Sequence, residues 1–417
     1  MSHGVKFARG LRGVVAVAVG VFAASTLTTA PVADAEPAQP GAPPKPGGVA
    51  LSWAPAHMSD NFDYTRARAI RIAKKHDLVT APPVAFADHA RAMRRANPDL
   101  TILAYENGTL VKADKVRHLR EGAFAHDSNG RRITSRIWGT TLMDPTSPAW
   151  RRWVDGECHD RVRLGRYDGC FMDSMGLGVF ASSQQFTGIP VDSDTGNPYR
   201  QKAYRADLAG LANALRAKSP GLVHVFNVVE NDYRYWRDEV PSRPLALGRP
   251  AVQMEDFLRG SGTGVNDFPD REKWLRNVRV IQDLEAHNVT GAYSTKFWVS
   301  HTDAQAAQWQ GYAMATFLMG ANGNSYFVFT RSRDRAGATG RNAPYSMPNR
   351  LGRPQRAMVR TDAGIYKRPF RNGLAFVNPG SNTVTVRLPS AMRRLNGQTV
   401  TSFRLPPKSG EVVVRPR

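Results

Sequence analysis

Short apolar runs alternate with amphipathic segments along most of the chain, and this rhythm constrains the fold more than any other feature. Eight runs have the length and composition of buried strands: Val49–Trp53, Leu78–Ala81, Leu100–Tyr105, Gly169–Met172, Leu222–Phe226, Ala251–Met254, Val289–Tyr293 and Ser325–Phe329. Six segments between them have helical periodicity, near residues 64–76, 85–97, 148–164, 199–218, 270–287 and 303–319. Such alternation, with strands that are apolar on both faces, is typical of a parallel sheet covered by helices.

The number of repeats predicts a closed (β/α)8 TIM barrel, an α/β fold, rather than an open doubly wound sheet. An open dinucleotide-binding sheet requires a glycine fingerprint in the first strand–helix turn, and that turn reads Ala54-Pro55-Ala56-His57. From about Gly364 the pattern changes to short strand-like runs separated by turns such as Asn396-Gly397. We therefore expect a barrel domain over residues 49–355 and a small antiparallel, sandwich-like β domain over residues 356–417.

The first 48 residues do not fit the barrel pattern. Basic residues from Lys6 to Arg12 precede an apolar stretch that ends near Ala24, and Ala33-Asp34-Ala35 offers a cleavage site of small residues. This pattern predicts a signal peptide over residues 1–35, followed by a Pro/Gly-rich linker over residues 36–48. Because the apolar stretch is short for a membrane anchor, we expect a secreted protein without a membrane span after cleavage.

Charge and cysteine content fit an extracellular protein. The chain has 57 Lys and Arg against 35 Asp and Glu, and the resulting charge of +22 favours polyanionic surroundings, such as an acidic cell wall or an acidic polysaccharide. Nucleic acid is not expected as a partner, since the sequence has no zinc-finger spacing, helix-turn-helix pattern or aromatic-laced basic stripe. Cys158 and Cys170 are the only cysteines; an exported protein could join them in a disulfide, and two buried thiols are the alternative.

Carboxylates directly follow three of the predicted strands, and in a TIM barrel the active site is built at the carboxyl ends of the strands. Asp173 ends the fourth strand, where a carboxylate could attack or stabilise an electron-poor carbon; an N-cap or an ion pair is the alternative. Glu255 follows the sixth strand and is our candidate for the general acid that glycosidic cleavage needs. Its neighbour Asp256 could take the same role or bind substrate.

Other residues at the same predicted rim are candidates for substrate binding: Trp53, Tyr105, Glu106, Asp144, Asn227, Asp256 and Trp298. The aromatic residues could stack on pyranose rings or could instead fill space between the barrel and its helices. Asp144 precedes Pro145 and could equally form a turn before a helix. The sequence has no HExxH spacing, no GxSxG elbow and no phosphate loop, so we expect neither a metal nor another cofactor.

Several segments resemble a known family. They are Ala104-Tyr105-Glu106-Asn107, Met143-Asp144-Pro145, the strand from Tyr167 to Asp173, and the C-terminal Asn372-Gly373-Leu374. Together they resemble glycoside-hydrolase-like barrel proteins, in particular hypothetical glycosyl hydrolase family 15. The chain is more distantly similar to α-galactosaminidase- and α-galactosidase-type barrels, which use carboxylates after strands four and six. The resemblance covers most of the chain after Val49 and implies a TIM barrel with catalytic carboxylates that act on a polysaccharide.

Two functions are compatible with these observations. The first is a secreted glycoside hydrolase that cleaves a poly- or oligosaccharide, with Asp173 as nucleophile or base and Glu255 as general acid. The second is a non-catalytic extracellular barrel that binds carbohydrate or associates with the cell wall. The sequence leaves the identity of the sugar and its linkage open.

Overall fold

The structure is a computed structural model that describes residues 39–43, 51–59, 64–180, 186–332 and 350–416. The predicted signal peptide and most of the predicted linker lie outside the described residues. Within the linker, residues 39–43 pack on the barrel: Ala42 is buried, and the carbonyl oxygen of Gly41 accepts a hydrogen bond from the amide of His224 at 2.8 Å. These five residues form a turn, in which the amide of Ala42 donates to the carbonyl of Gln39 at 2.9 Å.

Eight parallel strands close into a barrel in which the eighth strand along the chain returns to pair with the first. In chain order they are β1 (Leu51–Pro55), β2 (Leu78–Ala81), β3 (Thr101–Asn107), β6 (Gly169–Asp173), β7 (Val223–Val229), β8 (Ala251–Met254), β9 (Thr290–Lys296) and β10 (Ser325–Thr330). Neighbouring strands in space are also neighbours in this order, as in a TIM barrel. The prediction of a (β/α)8 barrel is confirmed.

The helices are α1 (Arg66–Ala73), α2 (Ala90–Ala96), α3 (Ala113–Val116), α4 (Pro148–Gly165), α5 (Gln201–Lys218), α6 (Asp232–Trp236), α7 (Arg243–Leu247), α8 (Arg271–Ala286) and α9 (Asp303–Gly320). Helix α4 begins at a proline after Ser147, whose hydroxyl accepts a hydrogen bond from the amide of Trp150. Helix α9 begins with a reciprocal capping box between Thr302 and Gln305. Among the described residues, no helix has the length and apolar character that crossing a membrane requires.

The chain between β3 and α4 forms a structure that the sequence analysis did not predict. Strands β4 (Leu110–Lys112) and β5 (Thr140–Leu142) pair antiparallel in a two-stranded sheet apart from the barrel. We call residues 108–143 the flap. Because the flap leaves the barrel directly after Asn107, at the carboxyl end of β3, it stands beside the mouth of the barrel.

The segment Tyr167-Asp168-Gly169 fixes the fourth barrel strand between its neighbours. Asp168 accepts a hydrogen bond from the amide of Ile102 on β3 at 2.7 Å. The hydroxyl of Tyr167 accepts a hydrogen bond at 2.8 Å from the backbone amide of Phe86, in the segment that follows β2. A Cβ atom on Gly169 would lie 1.8 Å from the carbonyl oxygen of Val223 on β7, so only glycine allows this approach. The motif therefore positions the strand that ends in Asp173.

Cys158 on α4 and Cys170 on β6 are joined by a disulfide bond in the structure. Both residues are buried, and Cys170 is completely covered. The bond ties the fourth barrel strand to the helix that precedes it in the chain.

The C-terminal part forms a six-stranded antiparallel sheet in the order β11-β12-β13-β16-β14-β15. Its strands are β11 (Val359–Arg360), β12 (Tyr366–Phe370), β13 (Gly373–Asn378), β14 (Val384–Arg394), β15 (Thr399–Leu405) and β16 (Ser409–Val414). The amide of Gln355 donates to the carbonyl of Pro369 at 3.0 Å, so residues just before the predicted boundary at 355 already pair with this sheet. Helix α9 is buried on nearly all sides, because the barrel covers one face and the sheet covers the other.

Candidate active site

A cavity of about 580 Å³ opens at the carboxyl ends of the barrel strands, within the size range of small-ligand sites. Four neighbouring strands supply polar side chains to its floor: Asp173 from β6, Asn227 from β7, Glu255 directly after β8, and Lys296 from β9. Three of these four, Asp173, Asn227 and Glu255, were selected from the sequence, and the structure brings them together.

Asp173 accepts three hydrogen bonds that fix its carboxylate. The hydroxyl of Tyr105 donates to Oδ2 at 2.6 Å, and the side-chain amide of Asn227 donates to Oδ1 at 2.7 Å. The backbone amide of Ser174 also donates to Oδ1 at 2.7 Å. Both oxygens are thus occupied by donors, which favours the ionised form of the group.

Asn227 connects Asp173 to the second carboxylate. Its side-chain nitrogen also donates to Oε2 of Glu255 at 3.2 Å. The ammonium group of Lys296 lies 2.8 Å from Oε1 of Glu255 and 3.0 Å from Oδ1 of Asp256. Lys296 is almost completely buried, so its charge is poorly screened and acts strongly on these two carboxylates.

The environments of Asp173 and Glu255 push their pKa values in opposite directions. Burial raises the pKa of Asp173, and the charge of Glu255 raises it further, although the three hydrogen bonds oppose both effects. The positive charge of Lys296 lowers the pKa of Glu255 against the opposing effect of burial. Glu255 is therefore the carboxylate that stays ionised most readily, which is the opposite of what a general acid requires.

Glu230 is a carboxylate of this cavity that the sequence analysis did not select, although it is the first acidic residue after β7. Its side chain is 43% exposed, and its nearest cation is Arg234 at 3.4 Å. Burial raises the pKa of Glu230 against the effect of Arg234, and the charges of Asp256 and Glu255 raise it further. A partly exposed carboxyl group with a raised pKa can hold a proton and deliver it to a ligand.

His57 is a second cavity residue that the sequence analysis did not select. Its ring lies 4.8 Å from the ring of Tyr105 in a stacked arrangement, and its Nδ1 is 2.6 Å from the hydroxyl of Thr80. Burial lowers the pKa of His57 to about 3, so the imidazole is neutral at ordinary pH. A neutral ring here can hydrogen-bond a ligand without adding charge.

Tyr105 and Trp298 line the cavity, as their selection for substrate contact requires. Tyr105 lies against Asp173 as a hydrogen-bond donor, which adds a role to the predicted stacking one. The indole N–H of Trp298 donates to the hydroxyl of Thr330 at 2.7 Å. Asp256 lies beside Lys296, next to the cavity floor.

Three other selected residues lie away from the cavity, and their predicted role in substrate binding is corrected. Trp53 is fully buried inside the barrel, where its indole N–H donates to Thr80 at 3.0 Å. Glu106 points outward from β3 and pairs with Arg161 of α4 at 2.7 Å. Asp144 forms the turn before α4, which is the alternative that the sequence analysis gave. Its carboxylate accepts hydrogen bonds from the amide and the hydroxyl of Thr146.

The barrel and its carboxylate-lined cavity are those of a (β/α)8-barrel glycoside hydrolase. The chain belongs to hypothetical glycosyl hydrolase family 15, whose family model matches residues 94–374. This match confirms the resemblance and the enzyme class that the sequence predicted. No curated protein shows a significant sequence match to the chain.

Solved structures of glycoside hydrolases share the fold at low sequence identity. The maltogenic α-amylase AmyB of Thermotoga neapolitana is 9% identical over 88% of this chain and 98% of its own, with a TM-score of 0.52. Amy13B of Eubacterium rectale is 10% identical over 92% of this chain and 100% of its own, with a TM-score of 0.52. The glycoside hydrolase domain of PelA from Pseudomonas aeruginosa is 15% identical over 69% of this chain and 97% of its own, with a TM-score of 0.44.

Proposed function

We propose that the chain is an extracellular glycoside hydrolase that cleaves a poly- or oligosaccharide with Asp173 as nucleophile or base. The observation that carries the proposal is the carboxylate of Asp173, held at the end of the fourth strand by three donors inside an open cavity. Glycosidic cleavage passes through an oxocarbenium-like transition state, and a fixed anion beside the anomeric carbon stabilises it or bonds to it.

The proton donor in this proposal is Glu230 rather than Glu255. The pKa of Glu230 is raised and its side chain reaches the cavity, whereas Lys296 lowers the pKa of Glu255. An acid must carry its proton when the substrate binds, so a raised pKa suits the role and a lowered one does not. Glu255 then contributes a permanent negative charge next to Asp173, which favours a positively charged transition state.

The cavity lining bears on the charge of the sugar. It contains four acidic side chains, Asp173, Glu230, Asp238 and Glu255, and three basic ones, Lys112, Arg234 and Lys296. This lining is nearly balanced, in contrast to the charge of +22 on the chain. We therefore propose that the basic surface attracts the protein to an acidic cell wall or polysaccharide. The sugar at the bond that is cleaved is proposed to be uncharged.

The proton donor can be identified with paired glutamine variants. On unactivated glycosides we expect Glu230→Gln to lower kcat/KM by about 10²–10⁴-fold. On aryl glycosides with good leaving groups the loss should be much smaller, because such groups depart without protonation. Glu255→Gln should lower both rates by similar factors. Glu239→Gln is the matched control. Glu239 is an exposed glutamate in the segment between α6 and α7, and it does not line the cavity.

Two results would change this proposal. If Glu255→Gln shows the dependence on leaving group and Glu230→Gln does not, Glu255 is the acid as the sequence analysis expected. If the wild type binds glycans and cleaves none of them, the non-catalytic binding function replaces the hydrolase.

A further inference from the structure

The flap places an exposed tryptophan on the wall of the cavity. Trp138 lies in the loop before β5, lines the same cavity as Asp173 and Glu255, and is 55% exposed. Lys296 on the cavity floor is 8% exposed by comparison, so Trp138 lies at the open end of the cavity. A large apolar ring that is exposed at the mouth of a cavity costs free energy in water, and a ligand that covers it removes that cost.

Two further exposed apolar side chains belong to the flap and to the segment that pairs with it. In the described part of the chain, seven large apolar side chains are exposed, and three of them are Ile137, Trp138 and Ile189. Ile189 belongs to a segment that joins the flap through a bridge between Ser135 and Phe186. Phe186 also lines the cavity. Trp138 and Phe186 thus bring apolar side chains from the two paired segments to the cavity lining.

The loop that carries Trp138 is held in a fixed shape. The amide of Ser135 donates to the carbonyl of Thr140 at 2.9 Å, and the amide of Gly139 donates to the carbonyl of Ser135 at 2.9 Å. Gly139 has φ of +59°, a backbone conformation that other residues rarely adopt. Because these bonds close the loop, its backbone needs little further ordering when a ligand binds to Trp138.

We infer that Trp138 forms a second sugar-binding subsite, separate from the carboxylates, that stacks on a pyranose ring of a longer chain. An indole offers a flat apolar face that matches the C–H face of a pyranose, while the sugar hydroxyls stay in water. The inference rests on the proposed function for its substrate class. It makes the enzyme selective for chains of several sugars over single glycosides.

Affinity electrophoresis tests the subsite without relying on catalysis. The protein carrying Asp173→Asn is run through gels that contain pullulan, galactomannan, xylan, glycol chitosan or hyaluronan. We expect at least one gel to retard it. Adding Trp138→Ala should raise the dissociation constant for that polysaccharide at least ten-fold, and adding Trp138→Phe should raise it much less. Tyr233→Ala is the matched control, since Tyr233 is 53% exposed outside the cavity wall, and it should leave retardation unchanged.

The inference would be overturned if the Asp173→Asn protein were retarded equally with and without Trp138→Ala. It would also be overturned if no gel retarded the Asp173→Asn protein. Circular dichroism of each variant checks that the fold is retained. An Asp173→Asn protein that is retarded through Trp138 while the wild type cleaves no glycan would support the subsite and refute the hydrolase. With an active wild type, Trp138→Ala should lower the ratio of polymer to aryl-glycoside kcat/KM at least ten-fold; an unchanged ratio would refute the subsite alone.

Discussion

At the scale of single residues, the site separates its carboxylates by their partners. Among the described residues, Asp173 is held by hydrogen-bond donors and forms no ion pair, whereas Glu255 is paired with Lys296. Asn227 bonds to both, so a charge on one carboxylate is felt by the other. The two groups therefore titrate as a coupled pair, and removing one charge should change the pKa of the other.

Glu255→Gln should move the acid limb of the pH profile of kcat/KM to lower pH. The negative charge of Glu255 raises the pKa of Asp173, so its removal lowers that pKa. A nucleophile or base must be ionised, and Asp173 would then be ionised at lower pH than in the wild type. The profiles of wild type, Glu255→Gln and Glu239→Gln, measured on one aryl glycoside, provide the check. An acid limb that stays in place or moves to higher pH would contradict the proposed coupling.

At the scale of elements, the position of Asp173 depends on how β6 fits between β3 and β7. Gly169 begins this strand, and its Cα approaches the backbone of Val223 so closely that a side chain has no room. Four residues later the same strand delivers Asp173 to the cavity floor. Packing at the bottom of the strand thus supports chemistry at its top.

Gly169→Ala should destabilise the fold by about 1–3 kcal/mol, because a methyl group there requires a backbone shift. Gly156→Ala is the matched control: a Cβ at this exposed position in α4 meets nothing within 4 Å. In a helix that change should stabilise by up to about 1 kcal/mol. The free energies of unfolding of both variants are obtained from urea titrations. Equal stability of Gly169→Ala and wild type would refute the close approach of β6 and β7.

Reduction of the Cys158–Cys170 bond should lower the free energy of unfolding by about 2–3 kcal/mol, because it frees a loop of 12 residues in the unfolded chain. Urea titrations with and without reductant measure the effect, and the Cys158→Ala, Cys170→Ala double variant controls for side effects of the reductant. If the oxidised and reduced proteins unfold at the same urea concentration, the bond contributes nothing to stability.

The positions of strands and helices were largely predictable from the sequence. Whether a given side chain points into the cavity or toward the surrounding helices was not. The predicted strand Ala251–Met254 matches β8 residue for residue, because a buried parallel strand is a continuous apolar run. Side chains alternate along β3, so Tyr105 and Asn107 face the cavity while Glu106 faces α4. An apolar run followed by a carboxylate does not reveal that alternation, and Glu106 was misplaced for this reason.

The flap was missed because its strands are three residues each and are separated by residues 113–139, in which the only helices are short turns. Such short strands have no periodicity that a sequence pattern can reveal. Trp138 was consequently overlooked as a ligand contact. Glu230 was not chosen as the proton donor because that choice depends on neighbouring charges, such as that of Lys296 on Glu255, and these are set by the three-dimensional arrangement.

At the scale of the whole molecule, export is a prediction of the N-terminal sequence. The predicted signal peptide over residues 1–35 ends at Ala33-Asp34-Ala35, so we expect secreted material to begin near Glu36. N-terminal sequencing of the protein recovered from the medium of a secreting host measures the start. A secreted chain that still begins at Met1 or Ser2 would contradict cleavage.

The proposed role of the Asp173 carboxylate is to act as nucleophile or base in the cleavage of glycosidic bonds. Its most direct test is the release of reducing ends by wild type and Asp173→Asn across one panel of polysaccharides, with binding to the same glycans measured in parallel. The amide nearly matches the carboxylate in shape but cannot supply the negative charge that the transition state needs. We predict that wild type hydrolyses at least one glycan, and that Asp173→Asn binds this glycan but shows no detectable hydrolysis. Substantial hydrolysis by Asp173→Asn, or binding without hydrolysis by wild type, would contradict the claim.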